Sequence, residues 1–410
     1  MSRSKIVKTG VVVVVVAVLA SAWAVASTAP AGASGPQANV LSATADTTVY
    51  VANETSGTIS VISTATNTVV ATICLGSDPA VAGTPQPDGP CNAEADHHRP
   101  FYDGHVAPHG LWLTPDGAFL LVANRISGTI VAIDARRCNG LDMAGCPAIL
   151  GYAPVGREPH LATVRPDGTE AWVAVRGETY VDVLKIDKDD LTRSGLLPTE
   201  RMEHRASVAT ASGPSMVSFT SNGSHAFVAH GKVRLVQKID AASRQVVATA
   251  PVAFPFTPFG LVTPDDNELY LVHKGAGTLS ILRTDDLAQV ASLPVGPCAN
   301  HVAFVGTLAY VTVGGAPPCA PGGTDREGKI VIIDRNTRAI VRELTGPAWT
   351  GDPHGIWATS DQQRLYVGHE RGNRVTVIDV GDPANPLDDG VSGTVSHPLM
   401  KQPIDLVIKR

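Results

Sequence analysis

The sequence predicts an all-β chain, a seven-bladed β-propeller of four-stranded blades, and three observations predict it. One segment pattern recurs along the chain, each copy holds four short apolar stretches, and 39 Gly and 30 Pro are spread through all 410 residues. Even spacing of short strands and turn residues, with no composition break, argues for one large β domain over two or three smaller ones.

The clearest copy runs Pro108-His109-Gly110-Leu111-Trp112-Leu113-Thr114-Pro115-Asp116-Gly117, then Leu120 to Asn124, then Gly128 to Asp134. It returns from Pro159, from Pro258 and from Pro353. We name the strands A (after Pro-x-Gly), B, C and D in chain order. Branched residues and alternation give them strand character. The Pro-Asp-Gly between A and B is a turn signal, because Pro presets φ and Gly accepts a positive one. Strand B recurs seven times, near Tyr50, Leu121, Trp172, Phe227, Tyr270, Tyr310 and Tyr366. Repeats of about fifty residues, four strands each, are the signature of radially packed blades. The tail Gln402 to Ile408 reads as a lone strand A that completes the first blade, with Val40 to Ala45 as its weaker rival.

Tyr50-Val51-Ala52-Asn53 and Gly57-Thr58-Ile59-Ser60-Val61-Ile62 resemble the YVTN-repeat proteins, and the resemblance covers nearly all of residues 34–410. It implies the propeller fold and leaves function open, since such propellers include lactonases, redox-enzyme subunits and surface proteins.

The start of the chain reads as an export signal. Arg3, Lys5 and Lys8 precede an apolar run from Gly10 to Ala26, and small-residue patterns follow at Ala24-Val25-Ala26 and Ala31-Gly32-Ala33. We expect residues 1–33 to be a signal peptide and 34–410 the secreted propeller. An uncleaved anchor is the rival, for which the run is short. No other segment is apolar enough to span, so the mature protein is expected to lack a transmembrane segment. A net charge of −6 offers no basic face to nucleic acid.

Six cysteines in an exported chain read first as disulfides. Cys74 and Cys91 bracket an insertion, Cys138 and Cys146 bracket a C–D loop, and Cys298 and Cys319 fall on one face of the sixth blade. The expected pairs are 74–91, 138–146 and 298–319.

Strand order fixes which loops share a face: A begins where B ends, so B–C and D–A connections lie together. Ten of the 13 histidines sort to that face. His109, His160 and His354 sit in Pro-x-Gly-like turns opening strand A, the innermost strand. Ser215, Phe259, Asn300 and Ile404 hold the same place in the other blades. His301 follows Asn300 with an offset of one, which would turn its side chain away. His230, His273 and His369 end strand B, where Asn53 and Asn124 stand in other blades. His97 and His98 lie on the insertion, and His105 just after it.

Neutral imidazoles converging from several strands suit copper or zinc. On that reading His109, His160, His354, His97 and His98 are the metal ligands. His230, His273, His301 and His369, with Arg157 and Arg176, orient them or meet a small molecule. Asp96-His97-His98 and the Pro-His turns resemble the propeller of nitrous oxide reductase, whose copper cluster histidines hold. This chain lacks that enzyme's further copper-binding domain. A lactonase-like hydrolase is the alternative, using Arg125, Arg157, Arg176, Glu54, Glu158 or Glu370 beside a histidine. A non-catalytic scaffold for a protein or glycan is the third.

Overall fold

The computed structural model describes residues 46–75, 106–137, 149–196, 200–254, 256–315, 319, 327–382 and 388–409. Its strands form seven antiparallel sheets of four strands each. The seven innermost strands touch one another in sequence around a ring, from blade one through blade seven and back. The protein is therefore a seven-bladed β-propeller. Among the described residues no helix is long and apolar enough to cross a membrane.

Ring closure is done by the tail. Pro403–Lys409 pairs antiparallel with Thr48–Asn53, so the last strand of the chain is strand A of the first blade. Ile404, Leu406, Val407 and Ile408 are all buried there.

Burial follows position in the blade. Second strands such as Thr48–Asn53 and Phe119–Asn124 are buried along their whole length, because neighbouring blades cover both faces. Outer strands such as Gln289–Pro294 alternate between exposed and partly buried residues. The apolar core therefore sits between blades, as where Tyr50 and Ile59 of blade one meet Leu111 and Leu120 of blade two. Buried tyrosines also fasten blade to blade. Tyr366 donates to Asn67 Oδ1 at 2.7 Å, and Tyr310 donates to Asp389 Oδ2 at 2.6 Å.

The A–B turns are as the Pro-Asp-Gly signal requires. Gly117 has φ +64° and its N–H donates to the Thr114 carbonyl at 2.7 Å. Thr114 Oγ1 accepts from the Phe119 N–H at 3.0 Å and closes the turn.

At the other end, six of the seven A strands open with a β-bulge. Pro108 pairs with Asn124 and Gly110 with Ala123, which leaves His109 as the extra residue. Equivalent shifts occur at Pro159/Leu161, Pro214/Met216, Ala299/Val302, Pro353/Ile356 and at the Pro403 end of the closing strand. The residue just before each bulged strand has positive φ: Ala107, Glu158, Gly213, Cys298, Asp352 and Gln402. In the fifth blade, which pairs in register from Phe259, Phe256 takes this role with φ 60°.

The bulges bring inner strands very close. A Cβ on Gly110 would lie 2.3 Å from the His160 carbonyl oxygen and 2.9 Å from Leu161 Cα. Backbone cannot retreat as a flexible side chain can. Gly110→Ala is expected to lower the unfolding free energy by about 3 kcal/mol, read as a shift of the urea midpoint.

Cys298 and Cys319 are disulfide-bonded across a separation of 21 residues, the pairing expected from the shared face. Closing a loop of that length stabilises by about 3 kcal/mol. Cys74 is also disulfide-bonded. The 74–91 and 138–146 pairings involve Cys91, Cys138 and Cys146, which lie outside the described residues, as do the signal segment, His97, His98 and His105.

Candidate functional site at the channel mouth

Three positions of the repeat build the site. The first is the bulge that opens strand A. A bulge re-aims the side chain of its extra residue, here toward the axis. His109, His160, His301 and His354 meet there with Phe259, Asp405 and Met216. His109 Nε2 and His160 Nε2 are 2.9 Å apart. The His301 and His354 ring centroids are 4.8 Å apart, and His301 stacks on Phe259 at 4.1 Å. His301 thus joins the inner ring, and Asn300 instead donates from Nδ2 to the Pro353 carbonyl at 3.1 Å. The sixth-blade bulge spans both residues, so an offset counted on a regular strand misplaces the pair.

The second position is the residue just past strand B, whose N–H donates to the carbonyl of the positive-φ residue in every blade. In blade order it is Glu54, Arg125, Arg176, Gly231, Lys274, Gly314 and Glu370. All but the two glycines line a cavity of about 380 Å³ above the histidines, together with Ile126, Phe256 and Ile404. Three cations therefore face two carboxylates. Lys274 was not singled out from the sequence, although the column His273-Lys274 beside Asn124-Arg125 carries the signal.

The third position ends strand B, and it turns inward to the blade. His273 Nδ1 meets Thr257 Oγ1 at 2.7 Å and Nε2 meets Ser280 Oγ at 2.8 Å. His369 meets the Thr350 carbonyl at 2.9 Å and Thr376 Oγ1 at 2.8 Å. His230 Nδ1 reaches the Ser212 carbonyl at 3.3 Å. Asn53 does the same work in blade one, donating to Thr58 Oγ1 and Ser60 Oγ. These three histidines tie loops and strands of their own blades and do not line the mouth. Arg157 is exposed and paired with Glu178 at 2.8 Å, also away from the mouth.

Three inner histidines each face one carboxylate. His109 Nδ1 is 3.5 Å from Glu54, His354 Nε2 is 3.8 Å from Glu370, and His301 Nδ1 is 3.7 Å from Asp405. Glu54 also accepts from Arg125 at 2.7 Å, and Glu370 lies 3.6 Å from Lys274. A proton on His109 Nδ1 directed at Glu54 leaves Nε2 to accept from His160 Nε2–H, the tautomer pair that suits both contacts.

Burial, reinforced by nearby cations, holds His109, His160 and His354 well below the usual imidazole range. Burial takes His301 down to about 3. All four are neutral bases at pH 7. Burial pushes Asp405 up to about 7, against the Leu111 and Leu406 N–H groups that donate to it. On the repeat pattern Ile404 holds the axis-facing place of the closing strand, yet it is Asp405, one residue on, that joins the ring.

Arg176 differs from its neighbours in what its guanidinium meets. Its Nε, like that of Arg125, is buried without a hydrogen-bond partner, but its guanidinium lies 5.3 Å from the Phe256 ring centroid. Burial and the neighbouring Arg125 hold its pKa below the usual arginine value. Arg125 and Lys274 each have a carboxylate near; Arg176 has an aromatic face.

For copper or zinc, the facing Nε2 atoms of His109 and His160 supply two donors. Among the described residues no three His, Cys, Asp or Glu converge to hold an ion. The residues described fit half a coordination sphere.

No family model matches this chain and no curated protein matches it. Solved structures do. A putative 6-phosphogluconolactonase from Bacteroides fragilis superposes with TM-score 0.61 at 14% identity, covering 91% of this chain and 99% of that one. The periplasmic gluconolactonase of Pseudomonas aeruginosa gives 0.61 at 14%, covering 89% and 99%. Kuenenia stuttgartiensis hydrazine synthase gives 0.54 at 19%, covering 67% and 77%. At such identities what this chain shares with them is the propeller fold.

Proposed function

We propose that the protein binds a small anionic molecule at the mouth of its central channel, in an extracytoplasmic setting. Arg176 carries this reading. Its half-buried guanidinium has Glu158 and Glu54 acting on it but no carboxylate within salt-bridge distance among the described residues, and its planar fork suits carboxylate or phosphate. Arg125 and Lys274 add positive potential, while the neutral histidines beneath add none. The signal-like start and the Cys298–Cys319 bridge support export to an oxidising compartment. The YVTN-like motifs support the fold and do not choose the ligand.

Calorimetric titration with small carboxylates and inorganic phosphate tests this. Arg176→Met is expected to weaken binding about 100-fold, from the loss of a charge-assisted contact. Its melting temperature without ligand should stay within a few degrees of the parent's, because the variant removes a half-buried charge that makes no close ion pair and keeps an apolar stem against Phe256. A variant that binds as tightly as the parent refutes the reading.

Opening of a cyclic ester is a second reading, favoured by the two imidazole–carboxylate pairs that line the open cavity, His109–Glu54 and His354–Glu370. A neutral imidazole oriented by a carboxylate is a general base for water attack on an acyl carbon. Two of the structurally similar proteins are a putative 6-phosphogluconolactonase and a periplasmic gluconolactonase. Lactone loss above the spontaneous rate, abolished in Glu54→Gln, is its measurement. Copper or zinc at the His109–His160 pair is the remaining possibility, and elemental analysis of untagged protein decides it.

A further inference from the structure

We infer that the anion held at the mouth is an amphipathic carboxylate, with its charged head on Arg176 and a compact apolar body against Ile126 and Phe256. This rests on the anion-binding reading and narrows it to a ligand class.

The apolar wall is the reason. Ile126 is 58% exposed. The other exposed large apolar residues among those described are Val70, Val246, Val247, Val290, Ile340, Val341 and Val391. All seven lie on the outermost strands of their blades. Ile126 alone stands in a B–C loop on the mouth face, where its N–H is fixed to the Val106 carbonyl at 3.1 Å. Phe256 and Ile404 line the same cavity as Ile126, so apolar and cationic side chains share one set of walls.

Phe256 is the second member of that wall. Its φ of 60° belongs to a position that takes positive φ in every blade, so the backbone there is set by the repeat and the ring is free to serve the cavity. The Lys274 N–H donates to its carbonyl at 3.0 Å. That backbone anchor keeps the aromatic ring in the cavity wall beside Arg176.

A polyhydroxylated acid fits less well. The cavity's two carboxylates are already engaged, Glu54 by Arg125 and Gln402 and Glu370 by Lys274 and His354, so a polyol's hydroxyls would have to compete for Thr55, Lys274 and the His109 and His354 Nδ1 atoms. Ile126, Phe256 and Ile404 offer no polar side-chain atom. A cavity of about 380 Å³ accommodates an aryl or short branched alkyl acid.

Calorimetry on the intact protein with 3-phenylpropionate, gluconate and inorganic phosphate tests the inference. The two carboxylates carry the same charge, so their difference reports the body alone. The expected result is that 3-phenylpropionate binds at least about tenfold more tightly than gluconate. Ile126→Ser, an exposed position with little bearing on folding, should cost 3-phenylpropionate several-fold and leave gluconate unchanged. Phe256→Gly, which relieves the positive φ while removing the ring, should remove most of the remaining preference. Gluconate binding as tightly as 3-phenylpropionate, or an Ile126→Ser variant indifferent to the ligand body, overturns the inference while leaving anion binding intact. Failure of all three probes to bind overturns both.

Discussion

Lowering the pH from 7 to 5 is expected to remove up to about 10 kcal/mol of stability, enough to unfold the protein. Among the described residues seven histidines are buried: His109, His160, His230, His273, His301, His354 and His369. Burial lowers the pKa of each in the folded state, to about 4 for His230 and His273 and about 3 for His301 and His369. The unfolded chain takes up these protons near pH 6.5 while the folded chain does not. Stability is therefore full above pH 6.5 and falls as pH drops, by about 1.4 kcal/mol per pH unit for each histidine. Asp405, raised to about 7, works the other way. Its folded form binds a proton that the unfolded form releases above about pH 4, so it offsets roughly one histidine. Urea midpoints across pH 5 to 7 measure the slope. Replacing His230, His273 and His369 by Asn, the residue that serves at Asn53 and Asn124, should keep the neutral-pH fold and remove nearly half the acid sensitivity. Equal midpoints at pH 5 and 7 in the parent would refute the account.

Ending the chain after Lys401 is expected to abolish cooperative folding. The deletion removes strand A of blade one and four buried apolar side chains, Ile404, Leu406, Val407 and Ile408. At ~2 kcal/mol each these supply about 8 kcal/mol, comparable with the whole stability of an ordinary domain. It also opens the ring, exposing both the edge of Thr48–Asn53 and the inner faces of neighbouring strands. Loss of a sharp thermal transition by circular dichroism is the expected result. A truncated protein melting within a few degrees of the parent would mean that another segment substitutes for the missing strand.

Much of this architecture is legible in the sequence because strand alternation, Pro-Asp-Gly turns and a fifty-residue repeat are local signals. The tail strand was legible for the same reason: Pro403-Ile404-Asp405-Leu406-Val407 alternates like its six counterparts. Side-chain direction at the hub was harder. A bulge adds one residue and breaks the alternation, so His301 turns inward and Asp405 joins the ring. The outer histidines look like ligands by composition. Only the neighbouring Ser and Thr of the next strand, such as Ser280 and Thr376, show where their nitrogens go. Lys274 was hidden by its ordinary look; its importance lies in standing in the column that holds Glu54, Arg125, Arg176 and Glu370.

The entry bulges give the hub an unusual freedom to vary. Each extra residue lies outside the blade's own pairing, since Pro108 and Gly110 are matched on the adjoining strand and His109 is not. Exchanging that residue changes the lining of the axis without disturbing a ladder. The chain already shows the range this permits, from imidazole at His109, His160 and His354 to hydroxyl at Ser215 and an aliphatic group at Ile404. A scaffold built this way can trade one hub chemistry for another by single substitutions that leave every strand pairing in place. Descendants of one propeller could thus diverge in what they hold while their blades stay the same.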